Sequence, residues 1–267
     1  HLVTNEDKTA VRVGLNRRKG KTIEKSGNKD GVYKKIVNNI EYIEFNESDP
    51  EEIEYPVNLP MGLNDLVEIY EGNIILVAGE FNAGKTLFML NILQMNKNHL
   101  PIRYLSSEMN KNEFKKRFRG FATIPASFWK HDEMTDYVRR SMDFHTALRP
   151  GAINIIDYIE FRGADYTQGA EIMNKIHDGL NGKGLAVVAV QKKLGAALPR
   201  SGDLILEKPR LAIALSKVPG KENKGIGEIL KAKAVKIGKC DGKKYIFEIT
   251  EWGSRLKMIN DWGYYRI

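Results

Sequence analysis

Apolar residues gather into short unbroken runs over residues 73–78, 102–106, 152–157 and 185–190. Runs of this length without alternation suit strands buried on both faces, as in a parallel sheet. Helical spacing falls over 85–97, 110–119 and 166–181, so strand and helix largely alternate along this stretch. That alternation predicts an α/β fold with a doubly wound, mostly parallel sheet. Past Leu211 the pattern becomes β throughout, over 211–215, 228–236 and 243–250. Gly238-Lys239-Cys240-Asp241-Gly242 reads as the turn between the last two, which makes a C-terminal β-hairpin. Residues 121–150 mix aromatics and charge without a clear period, and fit either a helix or a surface excursion.

The N-terminal region has a pattern of its own. Lys8 to Lys19 suits a helix capped by Thr4 or Asn5, with Val11, Val13 and Leu15 for apolar contacts. Two short alternating stretches then flank Gly27-Asn28-Lys29-Asp30-Gly31, as strands flank a hairpin turn. A basic helix followed by a hairpin with a basic tip resembles the second half of a winged-helix DNA-binding domain. A hairpin packed on the main domain is the alternative.

Charge sharpens this division. Residues 1–36 carry ten Lys/Arg against four acids, and residues 37–68 carry nine Asp/Glu with no Lys or Arg. The step predicts a basic segment over 1–45, an acidic proline-containing linker over 46–60 and a main domain over 61–267. A basic head of this kind suits contact with nucleic acid, through Arg12, Arg17 and Arg18. The whole chain, 267 residues with a net charge of +8, has room for one large domain and a small appendage. No apolar run approaches the roughly 20 residues of a membrane span, which argues against a membrane partner. The single cysteine, Cys240, excludes an internal disulfide and fits a reducing, cytoplasmic setting. The first residue is His1 rather than Met, which suggests a fragment or a processed chain.

Between the first apolar run and the first helix stands Gly79-Glu80-Phe81-Asn82-Ala83-Gly84-Lys85-Thr86, which matches G-x-x-x-x-G-K-T at every position. Strand, glycine loop and helix N-terminus aim successive backbone N–H groups at one phosphate. Gly79, Asn82, Ala83, Gly84, Lys85, Thr86 and Leu87 are therefore expected to bind ATP. Lys85 would reach the terminal phosphates and Thr86 would hold Mg²⁺. A second Mg²⁺ group is needed at the end of a neighbouring strand, and Asp157 closes the run Ile153-Asn154-Ile155-Ile156. In a doubly wound sheet the C-terminal strand ends line the ligand crevice. Glu108, just past the 102–106 run, is then the expected base for an attacking water, with Glu160 as competitor. Gln191 ends the 185–190 run and can hydrogen-bond a γ-phosphate without adding charge.

The order of these parts resembles the RecA-like ATPases. It is most similar to the hexameric replicative DNA helicases of the DnaB type, on Ser107-Glu108-Met109 before a charged helix and on Ile155-Ile156-Asp157-Tyr158. The resemblance implies a homo-oligomeric, hexameric ring with ATP between subunits and single-stranded DNA in a central channel. Channel loops would lie near 161–168 and 192–204, the second offering Lys192, Lys193 and Arg200 to the strand. Duplex DNA would be met by the N-terminal segment. The family also places a Lys-x-Arg pair against the neighbour's γ-phosphate. Here Lys233 fits the first position, but Val235 stands where arginine is expected, leaving Lys231, Lys236 or Arg210 as substitutes. A recombinase or loader ATPase without unwinding, or an ATP-switched regulator, is the rival expectation.

Overall fold

The computed structural model describes residues 4–19, 21, 23–25, 32–35, 54–161, 167–199, 201–250 and 253–265. The chain forms two compact units, His1–Glu51 and Glu52–Ile267. In the first, helix α1 (Asn5–Arg18) starts in a capping box. Thr4 Oγ1 accepts from the Asp7 N–H while the Asp7 carboxylate accepts from the Thr4 N–H. Strands β1 (Ile23–Lys25) and β2 (Tyr33–Lys35) pair antiparallel, as the alternation predicts. The expected turn around Gly27–Gly31 lies outside the described residues. Val11 and Val13 were read as apolar contacts of the helix, yet they are exposed at 61% and 44%.

The second unit is built on a nine-stranded sheet. Its strands are β3 (Asn73–Gly79), β4 (Ile102–Ser106), β5 (Thr135–Arg139), β6 (Ile153–Ile159), β7 (Leu185–Gln191), β8 (Leu211–Val218), β9 (Lys221–Ala232), β10 (Lys244–Thr250) and β11 (Arg255–Met258). They lie in the order β11-β10-β9-β8-β3-β7-β6-β4-β5. All pairings from β8 to β5 are parallel, and those from β8 outward to β11 are antiparallel. The strands alternate between two cores. On β3, Ile75 and Val77 enter one, while Ile74, Leu76 and Ala78 enter the other. Two buried faces explain why these strands read as unbroken apolar runs.

Helix α2 (Lys85–Asn96) and helix α3 (Lys111–Arg119) cover the first face, and α4 (Gln168–Leu180) covers the second with Met173, Ile176 and Leu180. The first face is also crossed by residues 55–69. Tyr55, Val57, Leu59, Leu63, Val67 and Ile69 are buried there, and the Asn96 side chain bonds both the N–H and the carbonyl of Asn58. The stretch read as a linker over 46–60 is thus part of the core from Tyr55 on. Its apolar residues sit at alternate positions between prolines, a pattern that charge counting hides.

The β-rich end also departs from expectation. Strand β9 begins at Lys221 rather than near 228, joined to β8 through Pro219-Gly220. It pairs with β10 as the hairpin predicts, and β11 adds an edge strand that the pattern did not suggest. Residues 121–150 hold two 3₁₀ turns, Ala126–Trp129 and Phe144–Ala147, and the edge strand β5. Among the described residues no helix is long and apolar enough to cross a membrane.

Candidate nucleotide site

Gly79 ends β3 and must be glycine, because a Cβ there would stand 2.4 Å from Lys85 Cγ. The Lys85 side chain folds back across it. Gly84 enters α2 at φ 93°, a left-handed conformation strained for other residues. Together they bring Lys85 over the loop and turn the first N–H groups of α2, which have no carbonyl one turn earlier, toward the loop.

Lys85 Nζ donates to the carbonyls of Gly79 at 3.0 Å and Glu80 at 2.9 Å, and to Gln191 Oε1 at 3.1 Å. Burial lowers its pKa, against the charges of Asp157, Glu108 and Glu80. Gln191 stands beside Gly79 because β7 and β3 are parallel neighbours with those two residues in register. Thr86 Oγ1 donates to Asp157 Oδ1 at 3.3 Å. The other oxygen of Asp157 accepts from the buried Tyr104 hydroxyl at 2.7 Å. Burial raises the Asp157 pKa, and the bonds from Tyr104 and Thr86 and the Lys85 charge oppose that.

Strands β4 and β6 are also neighbours, with Ser106 opposite Asp157. Beyond that pair the chain is tied across. Ser107 N–H donates to the Asp157 carbonyl at 3.1 Å, and Tyr158 N–H donates to Ser107 Oγ at 3.3 Å. Glu108 is exposed, and its Oε1 accepts from the Tyr158 hydroxyl at 3.0 Å. The Tyr158 ring centroid lies 5.9 Å from Lys85 Nζ, so one tyrosine is near the amine while its hydroxyl holds the carboxylate. Burial and Glu108 push the Tyr158 pKa up to about 12. Lys85, Gln191, Thr86, Asp157 and Glu108 thus occupy one end of β3, β7, β6 and β4. Neither tyrosine was singled out from sequence, although Tyr158 directly follows the acid of the Ile-Ile-Asp motif.

The residues present fit a magnesium nucleotide. Among the described residues no three His, Cys, Asp or Glu side chains converge into a metal cage. Mg²⁺ does not need one, since it binds through one or two protein oxygens, water and phosphate. The Thr86 hydroxyl and the Asp157 carboxylate offer that oxygen pair, beside helix N–H groups suited to an anion.

Glu80 is a third functional-site residue that the sequence does not single out. It occupies a variable position of the P-loop, yet its side chain is 5% exposed. Oε1 accepts from the Gly195 N–H at 2.9 Å and from Lys192 Nζ at 3.4 Å, and Oε2 accepts from the Lys217 N–H at 3.0 Å. Burial raises its pKa, but these donors outweigh burial and hold it below the usual carboxylate range. Lys192 was expected to contact DNA. Instead its side chain is 4% exposed, paired with Glu80 and donating to the Ala196 carbonyl at 2.6 Å. The two backbone N–H groups are the shorter contacts of this buried carboxylate, and Lys192 adds its charge from the neighbouring strand end.

Lys193 is exposed on the same loop, and Arg12, Arg17 and Arg18 are exposed on α1. Arg200 and most of the 161–168 loop lie outside the described residues. The candidates for a neighbour's γ-phosphate lie at the other end of the sheet. In register, Ile75 faces Leu211 and Leu211 faces Ala232, whereas Gly79 faces Leu215 and Leu215 faces Gly227. Lys231 Nζ is engaged there, donating to the carbonyls of Leu206 and Glu207. Lys233 and Arg210 are exposed, and Lys236 pairs with Glu54 at 2.7 Å. Val235 packs on the core and bridges to Val67, which accounts for an apolar residue at that position.

A sheet of this order, with a P-loop at the end of β3 and an acid at the end of a strand two places away, defines the RecA-like α/β fold. A KaiC-like protein, PH0186 from the hyperthermophilic archaeon Pyrococcus horikoshii, has a similar solved structure, with a TM-score of 0.61. The two chains are 19% identical over 78% of this chain and 99% of that one. No family model matches the sequence, and no curated protein matches it.

Proposed function

We propose that this chain is an ATP-hydrolysing motor that acts on DNA, of the replicative-helicase type, working as a homo-oligomeric, hexameric ring on single-stranded DNA. The observation that carries the hydrolytic part is the meeting of Lys85, Gln191, Thr86, Asp157 and Glu108 at the ends of four adjacent strands. Thr86 and Asp157 would hold Mg²⁺, which would supply charge neutralisation at the phosphates. Lys85 exchanges its loop carbonyl partners for phosphate oxygens, a change its burial favours because a charge is then matched by a charge. Glu108 orients and deprotonates the attacking water, and its bond to Tyr158 fixes where that water can stand. Gln191 senses the γ-phosphate through the position it now shares with Lys85 Nζ.

The distance of Lys233 and Arg210 from their own P-loop supports a role against a partner subunit's nucleotide. Lysine is a less good bidentate clamp than arginine, so turnover is expected to be slow or conditional. Lys193 and the exposed arginines of α1 remain the strand and duplex contacts of this reading. Val235, half-buried where the resemblance expects arginine, favours a second reading, in which ATP binding switches a DNA-bound regulator, or times a recombinase or loader, without unwinding. The test is ATP hydrolysis and unwinding of a forked duplex, run beside Lys85→Ala. Hydrolysis stimulated by single strands together with strand displacement supports the motor. Binding without displacement selects the second reading, and no nucleotide binding by the wild type overturns both.

A further inference from the structure

Helix α3 follows directly on Glu108-Met109-Asn110 and carries two rows of side chains. Lys111, Lys115 and Arg119 are spaced by four residues, about 6 Å apart along the axis, and form one ridge. Phe114 and Phe118, also four apart, form the next. Between this helix, the turn at Ala126–Trp129 and the edge strand β5 runs a groove of about 930 Å³. Phe114, Phe118, Phe121, Trp129 and Tyr137 line it, the first two and Tyr137 half-buried. Phe118 and Trp129 stack with centroids 4.4 Å apart and planes at 5°, so the buried Trp129 backs Phe118, and Phe114, Phe118 and Tyr137 supply the accessible ring surface.

The charged side chains that line the groove have one sign. Lys111, Lys115, Arg119, Lys130 and Arg139 are all exposed at its rim, with His131 beside them, and no Asp or Glu lines the groove. Among the described residues none of these five cations has a carboxylate within ion-pair distance. Exposed, unpaired cations of like charge beside half-buried rings repel only weakly in water, but together they attract a polyanion.

We propose that this groove binds single-stranded nucleic acid, with bases against the aromatic wall and phosphates along the rows of cations. Every base has a π-face, so stacking on such a wall with a cationic rim grips a strand without reading its sequence. An acidic amphipathic peptide would match the charge too, but the half-buried rings offer flat faces to bases along a rim of cations spaced for a run of phosphates. The inference rests on the nucleic-acid part of the proposed function and is independent of the hydrolytic part. It gives the chain a strand contact at the β5 edge, separate from Lys193 and from α1.

The test is binding of a fluorescent oligothymidylate to the full chain over a range of salt, for three sets of variants. Lys115→Glu with Arg119→Glu changes only exposed side chains. It is expected to weaken binding at least tenfold and to flatten the log K against log salt slope by about 1.4, at roughly 0.7 per cation. Phe118→Leu keeps an apolar filler without a π-face, and is expected to cost about fivefold or more at an unchanged salt slope. Circular dichroism checks the fold of each. Wild-type affinity and slope in both groove sets, with loss in Lys193→Glu or Arg17→Glu with Arg18→Glu, overturns the groove and leaves the DNA-acting reading standing. No oligothymidylate binding by the wild type overturns both. A Glu/Phe copolymer that binds the wild type and not the groove variants, while the oligonucleotide binds all alike, assigns the groove to an acidic peptide and overturns the proposal.

Discussion

Replacing Glu80 by glutamine is expected to destabilise the second unit by about 4 kcal/mol. The estimate comes from what the carboxylate holds. Its two oxygens take two backbone N–H groups, from Gly195 and Lys217, and the ammonium of Lys192. Glutamine keeps one acceptor oxygen, so its NH₂ turns toward the other N–H, and leaving a buried donor unsatisfied costs about 1–3 kcal/mol. Lys192 is left buried with a carbonyl and no counter-charge, and breaking a buried pair from one side costs about 3–5 kcal/mol in total. Lys192→Met is expected to cost less, about 1–3 kcal/mol, because Glu80 keeps both N–H donors and loses its longest contact. The double variant is expected to be more stable than the sum of the singles predicts.

Urea unfolding followed by circular dichroism reads this as a shift of the midpoint at constant slope. Proton linkage supplies a second signature. Glu80 has a depressed folded pKa, so its stabilisation is complete above the ordinary carboxylate range and is lost as pH falls through the depressed value. The gap between wild type and Glu80→Gln is therefore expected to close on the acid side. Single-variant effects that add within about 0.5 kcal/mol would refute the coupling. So would a Lys192→Met variant that is the less stable of the two.

Four further variants test contacts at the two ends of the sheet. Tyr104→Phe removes the hydroxyl bonded to Asp157 Oδ2 at 2.7 Å, and is expected to raise the Mg²⁺ concentration for half-maximal hydrolysis by roughly tenfold, since a bond to a charged group contributes about 1.5–3 kcal/mol. Metal titration of the ATPase rate checks it. Tyr158→Phe keeps the ring beside Lys85 and frees Glu108, so kcat is expected to fall several-fold while KM for ATP holds. An equal rise in KM would place Tyr158 in binding instead. Lys231→Ala uncovers the carbonyls of Leu206 and Glu207 and is expected to lower stability by about 1–2 kcal/mol, whereas exposed Lys233→Ala is expected to change hydrolysis only in the assembled protein.

The parts that the sequence announces are those whose cause is local. A strand buried on both faces must be apolar at every position, so β3, β6 and β7 could be read directly. A P-loop must carry glycine where Lys85 folds back and where α2 is entered, and both constraints leave a fixed spacing. Asp157, Glu108 and Gln191 were legible because parallel strands present their C-terminal ends together, so the last polar residue of each run falls at one crevice. What escaped notice depends on partners far apart in the chain. Nothing in the sequence around Glu80 shows that Lys192, 112 residues later, is brought to it by the pairing of β3 with β7. Edge strands β5 and β11 are half-exposed, so they lack the unbroken apolar signature. The same reasoning explains the misreading of Lys192. A basic residue after a strand looks like a surface charge until the strand beside it is known to end in a buried acid. Lys193 and Lys192 are adjacent in sequence and opposite in role, since successive side chains of an extended chain point to opposite faces, one toward the P-loop and one toward solvent.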